Sequence, residues 1–206
     1  MPRVVDHTAR RAALTGALWR VVRQAGIQAV SVRAVAAEAG TSPSSLRHYF
    51  TTTDELWGFA LTAVTERVEA RLRAQWSELV GRHGARTILE QFLPLDDDRR
   101  TEIEVYLAFI GRAHTDPALR AIRDDADLRA LAGLRYALDL LAAAGEVGAD
   151  RDLETETGRI YALLDGLAMH GALMPDRYPP AQQRQILAAH LAELRRPAPS
   201  MEPDSP

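Results

Sequence analysis

Between Ser31 and Thr53 the chain reads SVRAVAAEAGTSPSSLRHYFTTT, a stretch crowded with short hydroxyls and two arginines. These side chains suit hydrogen bonding to phosphates and base edges rather than bond-making. Ser31 and Arg33 open an apolar-stepped segment, where free backbone N–H groups and a cation together favour an anion. Ser44, Ser45, Arg47 and His48 follow a second such start at Ser42. An arginine on an exposed helix face is the commonest partner of guanine, and serines allow close approach and short hydrogen bonds. All of them could equally be a solvated surface, so the elements that carry them decide.

Val32, Val35, Ala36 and Ala39 recur at helical spacing and predict a helix over Val32–Ala39, capped by Ser31. Gly40 ends it at a position that favours left-handed backbone. Ser42 caps the next helix, with Pro43 at its first position, and this helix is expected to run through Phe50. Helix, glycine turn and helix with a polar N-terminus make a helix-turn-helix, whose second helix enters the major groove. Upstream, Leu14, Leu18, Val21 and Val22 predict a supporting helix to about Gln24, after a loose basic arm over residues 1–7. Downstream, Thr52 and Glu55 have capping-box spacing and start a helix expected to reach about Val80.

The charge distribution agrees. The 206 residues carry net −3, and all 25 basic residues are Arg. Residues 1–50 hold seven Arg against Asp6 and Glu38, a net +5, which leaves −8 for the remainder. A basic head on an acidic body fits a phosphate-facing module.

The rest of the chain is helical by pattern, with no strand signal. Helices are expected at Ala85–Leu93, Arg99–His114, Pro117–Ala144, 153–174 and Ala181–Leu194, with Asp96, Asp97 and Asp98 in a loop. The fold class is therefore all-α, about nine helices: a three-helix head over 1–53, a body over 54–196, and a proline-rich, disordered tail over 197–206. The 153–174 helix is apolar nearly all round and must be covered on both sides. With the last helix it suggests a symmetric dimer through Leu164, Leu167, Leu187, Leu191 and Leu194.

The turn sequence Ala39-Gly40-Thr41-Ser42-Pro43-Ser44-Ser45-Leu46-Arg47-His48-Tyr49-Phe50 resembles the DNA-binding domain of TetR-family transcriptional repressors. Leu164-Asp165-Gly166-Leu167-Ala168 is similar to a stretch in the body of the choline-responsive subgroup. The resemblance implies a homodimer on a pseudo-palindromic DNA operator, released by a small-molecule effector and working in the cytoplasm at the nucleoid. It adds Tyr49 as a phosphate contact and Thr53 at a position where the family commonly has Lys. Ser44 replaces a usual Gly and Arg47 a usual aromatic, so no relative's operator transfers. It also implies an effector pocket in the body, for which Phe92, Tyr106, Phe109, Tyr136, Tyr161, Asp165 and His170 are candidates. Asp165 interrupts an apolar helix and requires a partner, expected to be structural, across a dimer or in a cationic ligand.

Other classes find less support. The six histidines show no metal spacing, and no catalytic constellation, phosphate loop or cofactor signature appears. Cysteine is absent, which fits a reducing compartment, and no apolar run approaches a membrane span. An activator of the same fold, a helical enzyme or carrier, and a helical protein-interaction module are the alternatives.

Overall fold

In the computed structural model the described residues are 7–47 and 49–196, and they form nine α-helices with three short 3-10 turns and no strand. The helices are α1 (His7–Ala25), α2 (Val32–Glu38), α3 (Pro43–Arg47), α4 (Thr53–Ala74), α5 (Gly81–Leu89), α6 (Asp97–Ala113), α7 (Pro117–Ala143), α8 (Leu153–Leu173) and α9 (Pro180–Leu194). The arm, His48 and the tail lie outside the described residues, apart from the arm's last residue, His7, which begins α1.

Two compact units divide the chain. The first holds everything described up to Ala70 together with Thr101–Ala126; the second holds Arg71–Arg100 and the chain from Asp127 onward. The expected boundary at 53/54 does not fall between them, because most of α4, most of α6 and the start of α7 pack with the head. Leu14, Leu18, Val35, Leu46, Trp57 and Phe109 centre the first core. Leu89, Leu93, Leu134, Leu138, Ile160 and Leu164 centre the second.

Several helix ends differ from the pattern. α4 stops at Ala74 rather than near Val80, since the chain turns through Trp76–Glu78 to bury Leu79 while Trp76 stays 63% exposed. α5 starts four residues early. Gly84 lies inside it, and a Cβ there would stand 2.3 Å from the backbone carbon of Leu79. That glycine permits close packing instead of breaking the helix. α6 starts at Asp97, so part of the acidic run is helical. The side chain of Asp96 accepts from the Arg99 amide at 2.8 Å. Burial opposes its ionisation, but the Arg99 amide and guanidinium outweigh that and hold its carboxyl below the ordinary value.

Candidate nucleic-acid interface

α2 and α3 are joined by a closed turn. Ser31 accepts from the Ala34 amide at 3.1 Å and caps α2. At the other end Gly40 takes φ +64, its amide bonds the Ala37 carbonyl, and the Thr41 amide bonds the Ala36 carbonyl. These two bonds are the Schellman pattern, and they explain the glycine. Ser42 then caps α3 by accepting from the Ser45 amide at 3.1 Å, with its hydroxyl 3.0 Å from that of Ser44. α3 ends at Arg47, short of the Phe50 expected, and the amides of Tyr49 and Phe50 bond the Leu46 carbonyl beyond it. Leu46 is its buried residue, and Phe50 packs on Phe59 at 5.0 Å.

Exposure separates what α3 offers from what holds it. Arg33, Ser42, Ser44, Arg47 and Thr53 are exposed, Tyr49 is 40% exposed, and Ser31 and Ser45 are half-buried. Arg33 and Arg47 have no intramolecular partner among the described residues. Other arginines of the head are engaged: Arg11 bonds Glu66 at 3.1 Å and lies over Phe59, and Arg20 pairs with Glu38. The capping box forms as expected, with the Glu55 amide on Thr52 Oγ1 at 3.1 Å. The carboxylate of Glu55 in turn takes the Thr51 and Thr52 amides. The first turn of α4, beside Thr53, thus carries the negative charges of Asp54 and Glu55.

The effector candidates are divided between the two units. Tyr106 and Phe109 belong to the first unit, where Phe109 is fully buried, and the other five belong to the second. Tyr136 stacks on Trp76 at 6.1 Å, His170 stacks on Tyr178 at 5.1 Å, and Phe92 packs against the core. Tyr161 donates to Asp127 at 3.0 Å. Within the single chain, among the described residues, Asp165 has no hydrogen-bond or ion-pair partner. Burial, then the nearby Asp127 charge, pushes its carboxyl up to about 6. The folded state therefore binds that proton more tightly, and stability falls as pH rises from the ordinary 3.8 through about 6. More than a third of the residue is nonetheless accessible, and water screens much of the effect. Asp165→Asn should stabilise the protein by about 1 kcal/mol above pH 6, with the gain vanishing at the acid end of a chemical-denaturation series.

The dimer leucines need correcting. Leu164, Leu167, Leu187 and Leu194 are at most 5% exposed in the single chain, and Leu191 is partly buried. They fill the protomer's own core, because a helix apolar all round gives its bulkiest residues to the nearest neighbours. Sequence reasoning also missed Arg151 and Glu156, a buried pair at 2.6 Å. A buried glutamate five residues after an arginine leaves no periodic signal.

Ser-capped helices joined by a glycine turn, with an exposed arginine on each, define the head of a DNA-binding regulator. Residues 14–57 match the tetR family of bacterial regulatory proteins, and residues 81–196 match the C-terminal domain of BetI-type transcriptional repressors. The chain is 35% identical over 198 residues to the HTH-type transcriptional regulator PksA of Bacillus subtilis, covering 94% of each. A transcriptional regulator from Rhodococcus superposes with a TM-score of 0.73 at 33% identity, covering 89% of this chain and 95% of that one. A regulator from Saccharomonospora viridis in complex with choline shares the fold, with a TM-score of 0.77 at 22% identity over 89% and 95% of the chains. The chain belongs to the TetR family, and it is a DNA-binding transcriptional regulator and not an enzyme. Among the described residues no helix is long and apolar enough to cross a membrane.

Proposed function

We propose that the chain is a dimeric repressor that binds a pseudo-palindromic operator through α3 and is released by a small-molecule effector held by its helical body. The observation that carries this reading is Arg47, exposed and unpaired at the end of a helix fixed by a capped turn. Arg47 reads a base edge or a flanking phosphate; Ser44 and Ser45 approach the bases; Ser31, Arg33, Ser42, Tyr49 and Thr53 meet the backbone. His48 shares this role by sequence alone. Such a regulator works on the chromosome, in the cytoplasm at the nucleoid.

The second copy meets the outward stripe of α8: Gly158, Ala162, Asp165, Met169 and Leu173 are all exposed at helical spacing. Small residues there allow two helices to come close, and Leu173 is 66% exposed. The effector is sought in the second unit among Phe92, Tyr136, Tyr161 and His170; Tyr106 and Phe109, in the first unit, are separate candidates. A dimer supports the operator symmetry, since two copies of α3 related by a two-fold read inverted half-sites.

Selection of duplexes from a random library with the full chain tests the reading. Recovered sequences should carry an inverted repeat. Arg47→Ala should bind them roughly 10- to 100-fold more weakly, the range of one good base contact. Selected sequences without two-fold symmetry, or an unchanged affinity in Arg47→Ala, would sink it.

A further inference from the structure

Arg10 stands on α1, and its Nη2 donates to Thr41 Oγ1 at 2.8 Å across a separation of 31 residues, in a partly buried contact. Thr41 is the residue whose amide closes the α2 turn onto Ala36, and Ser42, the cap of α3, comes next. α3 spans five residues and has Leu46 as its one buried side chain. Little else holds such a short helix, so the turn before it sets where its exposed face points. A second strap lies alongside: Arg20, also on α1, reaches both the side chain and the carbonyl of Glu38 at the end of α2.

We propose that Arg10 is a positioning residue for DNA recognition, clamping the α2–α3 turn through Thr41 and so fixing where Ser44 and Arg47 are presented. The inference rests on the DNA-binding reading above. A basic residue near the start of α1 would otherwise be taken for a phosphate ligand. The two roles differ in their consequences: a phosphate contact acts through charge and counterion release, whereas the clamp acts through a hydroxyl that never touches DNA.

The test uses the full chain and a duplex that the wild type selects from a random library. Thr41→Val removes the acceptor at constant shape, and Arg10→Met removes the donor. Each should bind about tenfold more weakly, as for loss of one hydrogen bond to a charged group. The double variant should bind no worse than either single one, because both remove the same contact. The salt dependence should keep its wild-type slope. In the absence of DNA, amide-exchange protection at Ser45 and Leu46 should fall in both single variants.

Two results overturn the clamp. One is an Arg10→Met loss accompanied by a slope smaller by about one phosphate, with Thr41→Val unaffected. The other is unchanged protection across the turn in both variants. If the wild type selects no duplex, the DNA-binding reading fails, and the exchange measurement still decides whether Arg10 holds the turn.

Discussion

Arg151→Ala should lower the stability of the chain by about 3–5 kcal/mol, the cost of stranding one member of a buried ion pair. The pair lies in the second unit, with both side chains 5% exposed. Arg151 Nη1 holds Glu156 Oε1 at 2.6 Å, while Nε and Nη2 donate to the carbonyls of Arg196 and Glu193 at 2.9 Å. One guanidinium therefore neutralises a carboxylate at the start of α8 and caps the end of α9. Removing it leaves Glu156 with Arg159 alone, whose side chain is half exposed, and takes one donor from each of the two carbonyls. For a chain of this size the midpoint of thermal unfolding should drop by roughly 10 °C. The double substitution Arg151→Met with Glu156→Leu should recover most of the loss, because an apolar pair needs no compensation for burial. A double variant as unstable as Arg151→Ala would place the cost in the carbonyl caps instead.

Leu46→Ala should abolish operator binding while leaving most of the fold intact. Truncating a buried leucine costs about 2–5 kcal/mol. Here that cost falls on a five-residue helix whose one buried residue is the one replaced. α3 should open locally without unfolding the core beneath it, which keeps Leu14, Leu18, Val35 and Trp57. Apparent affinity scales with the competent fraction, so a loss above about 100-fold is expected. Hydrogen exchange should show protection lost near α3 and kept in α8. Uniform loss of protection would mean that Leu46 supports the whole unit.

The head was legible because its signals are local. Ser31 and Ser42 cap, Gly40 closes a Schellman turn, and Thr52 with Glu55 forms its box, each within four residues of its partner. What escaped is non-local. Arg10 with Thr41 and Arg67 with Glu102 are single contacts across 31 and 35 residues, and one polar pair adds no periodicity to a sequence. The α8 leucines show a different limit. Periodicity tells that a helix is covered on two sides, and not which side belongs to its own chain.

The three tryptophans fall into two optical classes. Trp19 and Trp57, in the first unit, are 4% and 1% exposed, and each has a cation over its ring: Arg67 at 5.5 Å and Arg112 at 4.5 Å. Trp76, in the second unit, is 63% exposed and lies parallel to Tyr136. Shielded indoles emit to the blue and resist aqueous quenchers, whereas a wet one does neither. Each unit thus carries its own built-in dye, and a quencher in the buffer silences one and leaves the other lit.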